Sequence, residues 1–182
     1  MPQILPITRL GNPLLRRVSR CLARQEILSD EVQQFITNAR YTLKKENYGV
    51  GIAAPQLGHN LALSVIGIKP TPTRPDLDPL DMVIINPEII ETFGRKIGAW
   101  EACMSCGYGD NNLYAKVPRY KKIRLKYLNE QAVEHSEIFE DFQAQVIQHE
   151  VDHLNGIIFL DRVRDTKSFM MTDEYRKRIV KK

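Results

Sequence analysis

The sequence predicts an α+β fold in which mostly antiparallel sheets pack around a buried central helix, with further helices near the N- and C-termini. Three observations predict it: an amphipathic stripe over 28–43, short apolar runs split by turn residues from 49 to about 139, and a helical segment over 141–155 that is apolar on nearly every side. A helix, then strands, then a buried helix is typical of an α+β arrangement.

The first helix is indicated by apolar residues that recur at helical spacing. They are Leu28, Val32, Phe35, Ile36, Ala39 and Leu43. Ser29 can cap the start of this helix, and Asp30 and Glu31 suit the positive end of its dipole. We expect the stripe to end near 47–49.

The middle of the chain is predicted to form strands. Leu61–Ile68 and Met82–Ile85 are apolar runs of strand length, and the segment 70–79 between them holds four prolines that favour an extended loop. Apolar and charged residues alternate over Ile123–Tyr127, which predicts a strand with one wet face. Helical character returns at about Asp141, and its apolar residues lie on several faces. They are Phe142, Ala144, Val146, Ile147, Val151 and Leu154.

Composition fits one soluble domain over 1–182, with a basic tail over about 168–182. Apolar residues make up 43% and charged residues 26% of the chain. The longest apolar stretch, 61–68, is far shorter than the roughly 20 residues of a membrane span, so we expect no membrane contact. Three cysteines without an export signal predict a reducing compartment, the cytoplasm.

The basic tail has two interpretations. Five of the eight residues in 175–182 are cationic, which suits either a solvated end or contact with an anionic surface such as RNA. No basic motif interleaved with aromatic residues indicates specific nucleic-acid binding.

The strongest chemical signal is the H-E-x-x-H of 149–153 on the predicted buried helix. Residues four apart lie on one helix face, so His149 and His153 can share a metal ion. The alternative is a pair of core histidines hydrogen-bonded to neighbours. Buried ionisable groups are costly without a use, which favours the metal.

The third ligand decides the class of site. A metzincin protease would need a histidine at the position of Phe159, and a thermolysin-like protease using Glu174 would need a helical half that this tail cannot provide. Cys103 offers a thiolate that, with two imidazoles, leaves one position open for water, as in catalytic sites. Ligation by Cys106 as well would instead close a structural Cys₂His₂ site, although Glu150 beside a ligand argues against closure.

A third segment, Gly49–Gln56, reads Gly-Val-Gly-Ile-Ala-Ala-Pro-Gln. Its glycines lack the spacing of a dinucleotide fingerprint, and no Gly-Lys-Ser/Thr follows for a phosphate-binding loop. Glycines in an apolar strand indicate a bulge or the close approach of another backbone. Alone, this segment identifies no activity.

Together and in this order, the three segments resemble peptide deformylase. The family pattern is G-Φ-G-Φ-A-A-x-Q, then E-G-C-L-S, then Q-H-E-x-D-H, with Φ apolar, and the chain matches it at Gly49–Gln56, Glu101–Ser105 and Gln148–His153. The resemblance runs from 4–7, through Val117-Pro118-Arg119, to 156–161. It implies a hydrolase that removes the N-formyl group from N-formyl-methionyl N-termini of new proteins and releases formate.

The resemblance also implies roles for individual residues. It makes Cys103, His149 and His153 the metal ligands, Glu150 the general acid and base, and the Gln56 amide and the Met104 backbone N–H the oxyanion donors. Substrate binding falls to Gly49, Val50, Gly51, Gln145 and Val146, and structural support to Glu101 and Arg119. The expected metal is Fe²⁺, with Zn²⁺, Ni²⁺ or Co²⁺ able to substitute because the ligand set accepts them alike.

The implied partners are N-formyl-Met peptides and nascent chains, with the peptide added as a strand beside Gly49–Gly51. In some family members the C-terminal helix contacts the ribosome, which suggests that role for the basic tail. The other interpretation is a catalytically silent peptide-binding protein with a closed site of Cys103, Cys106, His149 and His153.

Three departures from the family pattern stand out. Ala102 replaces glycine, which would cost about 1–2 kcal/mol if that backbone had positive φ. Met104 replaces leucine, a nearly volume-conserving change that keeps the backbone N–H. The segment 106–112 lacks the usual proline and is longer, so substrate preference and turnover are expected to depend on it.

Overall fold

The structure is a computed structural model that describes residues 1–46, 49–71, 75–109 and 111–180. Parts of four predicted features lie outside the described residues: Asn47 and Tyr48 at the end of the first helix, Pro72 of the proline-rich segment, Asp110 of the segment 106–112, and Lys181 and Lys182 of the tail.

The chain forms a mixed fold of helices and antiparallel sheet. The helices are α1 (Arg24–Ile27), α2 (Asp30–Lys45), α3 (Asp141–Leu154), α4 (Phe159–Arg162) and α5 (Thr172–Tyr175), the last continued by a π-helical turn at Arg176–Val180. Short 3₁₀ turns occupy Pro13–Arg16, Ala54–Leu57 and Thr166–Ser168. The strands are β1 (Gly51–Ala53), β2 (Leu63–Ile68), β3 (Leu80–Glu101), β4 (Leu113–Leu128), β5 (Glu134–Glu140) and β6 (Met170–Met171).

Strands β1 to β5 lie side by side in chain order, and each neighbouring pair is antiparallel. Strand β6 pairs with the start of β4. The predicted strands at Met82–Ile85 and Ile123–Tyr127 are therefore parts of two much longer strands. Register shifts in the β3–β4 pairing interrupt the regular alternation beyond Ile85, and β5 is mostly polar, which explains why the sequence did not indicate them.

Helix α2 begins where the sequence predicted. The Ser29 side chain accepts a hydrogen bond from the Val32 N–H at 3.4 Å, and Asp30 and Glu31 occupy the first turn. Its buried face includes Phe35, which joins a core cluster with residues of β1, β2 and β3. Packing of this face against the sheet fixes the end of α2 close to the segment that leads into β1.

Helix α3 carries most of the polar residues that concern function. Its Ala144, Val146 and Ile147 share a core cluster with Ile66 of β2 and Leu125 of β4. The helix is followed by Gly156 at φ 71°, a left-handed conformation that suits glycine after a helix. Among the described residues, no helix combines the length and the apolar character needed to cross a membrane.

Candidate active site

One cysteine and two histidines meet in the interior. Cys103 lies in the segment after β3, while His149 and His153 project from consecutive turns of α3. Their sulfur and ring nitrogen atoms all lie within 4.8 Å of one another, and Cys103 Sγ is 3.3 Å from His153 Nε2. A thiolate and two imidazoles at this separation form a candidate site for a divalent transition metal.

The surroundings of Cys103 favour the thiolate form that binds metals. A hydrogen bond from the Cys106 thiol lowers the pKa of Cys103 well below its usual value, against the effect of burial, and the charge of His153 adds to the lowering. The same hydrogen bond, together with burial, raises the pKa of Cys106. Cys106 is not a member of the metal-ligating group found among the described residues, so the four-ligand closed site is not favoured.

Glu101 connects the cysteine segment to α3. Its carboxylate accepts hydrogen bonds from Arg119 at 2.7 and 3.0 Å, and its Oε2 lies 2.9 Å from His149 Nδ1. Burial raises the pKa of Glu101, but hydrogen bonds from His149 and Arg119 outweigh it and lower the pKa to about 2. The ionised carboxylate of Glu101 binds Nδ1 of His149 and so fixes the orientation of the imidazole ring. The other ring nitrogen, Nε2, is then turned away from Glu101.

Glu150 is buried, with an exposed fraction of only 3%. Its Oε2 atom has no hydrogen-bond partner among the described residues. Burial raises the pKa of Glu150 to about 7, although the charges of His149 and His153 act to lower it. A buried carboxylate with one unpaired oxygen and a pKa near neutrality can both accept and return a proton.

Gln56 is oriented from both ends of its side-chain amide. Its Oε1 accepts a hydrogen bond from the Ala53 N–H at 2.9 Å, and its Nε2 lies 3.2 Å from Ser105 Oγ and 3.4 Å from Cys103 Sγ. The amide nitrogen, a hydrogen-bond donor, is therefore directed toward the cysteine. Met104 follows Cys103 in the same turn, which is closed by a hydrogen bond from the Cys106 N–H to the Cys103 carbonyl at 2.9 Å.

Gly51 leaves room for Glu150. A Cβ atom at Gly51 would lie 2.8 Å from Glu150 Cδ, closer than carbon atoms approach without a shift. At Gly49, a Cβ would lie 2.9 Å from the Met104 sulfur. The sequence indicated only that a backbone approaches these glycines, whereas the structure brings three side chains against them, Leu43 and Met104 at Gly49 and Glu150 at Gly51.

The other predicted substrate-binding residues surround this cluster. Val146 is buried in a core cluster, and the partly buried Val50 packs against the same cluster. Gln145 donates a hydrogen bond to the Trp100 carbonyl at 2.8 Å and lines a cavity of about 240 Å³ with Ala99 and Phe142, among other residues. This cavity opens beside the end of β3 that leads to Cys103.

Sequence reasoning missed two members of the ion-pair network. Asp152 accepts hydrogen bonds from Arg119 at 2.6 Å and from Arg162 at 2.7 Å, so it ties α3 to β4 and to α4. Asp152 could have been noticed in the sequence as a carboxylate on a helix otherwise suited to burial. No feature of the sequence indicated a role for Arg162. The condition for strain at Ala102, a positive φ, is not met. Among the described residues other than glycine, only Asn86, Ala132 and Asp141 have positive φ.

Comparisons with known proteins agree with this geometry. The family model described as Polypeptide deformylase matches residues 4–169. The peptide deformylase of Leptospira biflexa is 36% identical over 167 residues, which cover 90% of this chain and 89% of that protein. A Nostoc relative named peptide deformylase 2 is 33% identical over 183 residues, 99% of this chain and 97% of that protein.

Solved structures show the same similarity. A class I type b peptide deformylase from Acinetobacter baumannii with Met-Ala-Ser bound is 32% identical, with a TM-score of 0.81 over 90% of this chain and 100% of that one. A peptide deformylase from Synechococcus elongatus in complex with actinonin is 31% identical, with a TM-score of 0.76 over 95% of this chain and 84% of that one.

Proposed function

Because the chain belongs to the polypeptide deformylase family and is a hydrolase that removes the formyl group from N-terminal methionine, we propose that one buried cluster of its side chains carries the reaction. The observation that supports this most directly is the meeting of Cys103, His149 and His153 beside a buried carboxylate with a free oxygen, Glu150. Helix α3, which carries three of these four residues, is in this proposal the central helix of the fold.

The family is metal-dependent, and the residues fit a metal. Cys103, His149 and His153 would hold it, because a thiolate and two imidazoles are converging ligands that Fe²⁺, Zn²⁺, Ni²⁺ and Co²⁺ all accept. Among these we propose Fe²⁺ as the native ion. When bound, the ion supplies Lewis acidity, which polarises a carbonyl and makes water more acidic.

Glu150 is the proposed general base and acid. Its carboxylate takes a proton from the water that attacks the formyl carbon, and then gives that proton to the amine that leaves. Burial supports this role, since the unpaired Oε2 has no competing donor among the described residues. Formate and the free N-terminal methionine are the products.

The negative charge that develops on the formyl oxygen needs hydrogen-bond donors. We assign this role to Gln56 Nε2, which lies 3.4 Å from Cys103 Sγ, and to the backbone N–H of Met104, the next residue in the chain. The bonds from Ala53 and to Ser105 support the assignment for Gln56, because they fix its amide before substrate arrives. One such donor is typically worth about 10²–10³ in rate.

Glu101 and Arg119 support the cluster. Glu101 orients His149, and the guanidinium of Arg119 balances the charge of Glu101 with two hydrogen bonds. Removing a carboxylate that orients a ligating histidine typically lowers metal affinity by roughly 10- to 100-fold.

The substrate is proposed to add as a strand along Gly49, Val50 and Gly51, the segment that leads into β1. Gln145 and Val146, one turn before His149 on α3, would border its methionine side chain. The cavity beside Gln145 supports this placement.

The remaining proposals concern cellular context. We propose a single catalytic domain over 1–182 that acts in the cytoplasm on nascent chains, with the basic tail over about 168–182 contacting the ribosome. Lys177 and Arg178 are exposed, although Arg178 pairs with Glu174. Deletion of 175–182 is expected to abolish co-sedimentation with ribosomes. Because Tyr175 is buried and stacks on Tyr114, Tm and formate release are measured on the same samples.

Formate release from formyl-Met-Ala-Ser tests the proposal, with protein purified without oxygen and loaded with Fe²⁺. We expect Glu150→Gln to lower kcat by about 10²–10⁴ while one metal per chain is retained. Glu31→Gln, which removes an exposed carboxylate on α2, is the matched control. Metal-loaded protein that releases no formate would contradict the proposal and favour the peptide-binding alternative.

A further inference from the structure

Three consecutive residues near the N-terminus bridge the two segments that carry the proposed oxyanion donors. The Thr8 N–H donates to the Gln56 carbonyl at 2.7 Å, and the Leu10 N–H donates to the Ser105 carbonyl at 2.9 Å. We call Thr8–Leu10 the bridging segment. It joins a 3₁₀ turn before β2 to the turn after β3, which are otherwise distant in sequence.

The side chain of Arg9 adds two hydrogen bonds to the same turn. Its Nη1 atom donates to the Met104 carbonyl at 2.6 Å and to the Gly107 carbonyl at 2.8 Å. The guanidinium carbon also lies 5.4 Å from the ring centre of Tyr108. Because the guanidinium is charged, these bonds to carbonyl oxygens are stronger than neutral ones.

The turn needs such ties because its own sequence is permissive. Gly107 and Gly109 flank Tyr108, and glycine loses more conformational freedom on ordering than any other residue. Tyr108 is 67% exposed, so burial of its ring holds the segment only weakly. Arg9 instead hydrogen-bonds to the backbone on both sides of Ser105 and Cys106, at the carbonyls of Met104 and Gly107.

We propose that Arg9 is a positioning residue for deformylation, which holds the Met104 turn at a fixed place relative to Gln56. The inference rests on the proposed oxyanion roles of these two residues. The Met104 N–H and carbonyl belong to consecutive peptide units joined at the Met104 Cα, so holding the carbonyl in place narrows the range of positions open to the N–H. The hydrogen bonds of the Arg9 side chain go to the carbonyls of Met104 and Gly107, not to the proposed metal ligands or to Glu150.

The side chain is well suited to a test, because Arg9 is exposed and its removal leaves no cavity in the core. Arg9→Met keeps much of the length of the side chain and removes all its donors. We expect kcat to fall about tenfold, a part of the 10²–10³ that loss of a whole donor typically causes. KM is expected to stay within about twofold, the pattern of an interaction used only in the transition state.

Three further measurements separate positioning from stability. Metal per chain should stay at one, Tm should shift by no more than about 3 °C, and Arg9→Lys, which can reach one carbonyl, should recover part of kcat. Arg17→Met, which also removes an exposed arginine near the N-terminus, is the control and should retain the full kcat. An unchanged kcat in Arg9→Met, or a fall matched by lost metal or lost folded protein, would overturn the inference.

The proposed function and this inference fail in different ways. If Gln56→Ala leaves kcat unchanged, the oxyanion assignment is wrong whatever Arg9 does. If Gln56→Ala lowers kcat and Arg9→Met does not, only the positioning role is wrong.

Discussion

Replacing Gly51 with alanine should disable Glu150 without unfolding the protein. The backbone at Gly51 does not have positive φ, so alanine can adopt it, and alanine in a strand is more favourable than glycine by about 0.5–1 kcal/mol. The added Cβ, however, would lie 2.8 Å from Glu150 Cδ. The carboxyl group must therefore move, and its surroundings are buried.

The size of the effect can be worked from that distance. Ordinary contact begins at 3.4 Å, so Cδ has to retreat by 3.4 − 2.8 = 0.6 Å, and Oε1, which lies nearer to the added Cβ, by more. A misplacement of about 1 Å typically costs about 10² in rate. We therefore expect Gly51→Ala to lower kcat by about 10- to 100-fold, which corresponds to about 1.4–2.7 kcal/mol of barrier.

Formate release from formyl-Met-Ala-Ser is the assay, with Tm and metal content measured on the same samples. Gly67→Ala in β2 is the matched control, because a Cβ there would meet only a flexible methyl group of Leu43 at 3.3 Å. Combining Gly51→Ala with Glu150→Asp adds a sharper test. The shorter carboxylate should fit beside the new methyl group, so the two losses should not add. Additive losses, or a kcat within about twofold of the unsubstituted enzyme for Gly51→Ala, would refute the reasoning.

Three other predictions rest on the same set of contacts. Glu101→Gln should weaken metal binding by about 10- to 100-fold, measured by competition with a chelator, because His149 loses its charged partner; unchanged affinity would contradict the role of Glu101. Cys106→Ser should retain one metal per chain by mass spectrometry, whereas Cys103→Ser should lose it. Equal loss of metal in the two variants would instead favour the closed site with four ligands. Ser29→Ala should lower the free energy of unfolding in urea by about 0.5–2 kcal/mol through loss of the α2 cap, and unchanged stability would show that the cap contributes nothing.

Helices α2 and α3 could be located from the sequence because their signals are local, whereas the one-turn helices α1, α4 and α5 could not. The stripe from Leu28 to Leu43 and the cap at Ser29 act within a few residues, so no knowledge of the rest of the chain is needed. The strands were harder. Beyond Ile85, β3 contains register shifts and exposed residues, and β5 is stabilised by pairing with β4 rather than by an apolar pattern of its own.

Some residues of the candidate site could likewise be identified from the sequence, and others could not. Cys103, His149 and Glu150 could be singled out because their side-chain chemistry is visible as letters in a motif. Arg9 could not, since its partners are the carbonyl oxygens of Met104 and Gly107, and every residue has a carbonyl. Bonds to the backbone leave no pattern in the sequence of the segment that accepts them.

In the proposed binding mode, the shortness of β1 limits the selectivity for substrate. The strand has three residues and, in the described part of the chain, a neighbour on one side only, β2. At about 3.3 Å per residue, a ladder of this length spans roughly 10 Å of any chain laid beside it. In the proposed binding mode, so short a ladder contacts only the first few residues of the substrate, so that proteins with many different N-terminal sequences can be accepted.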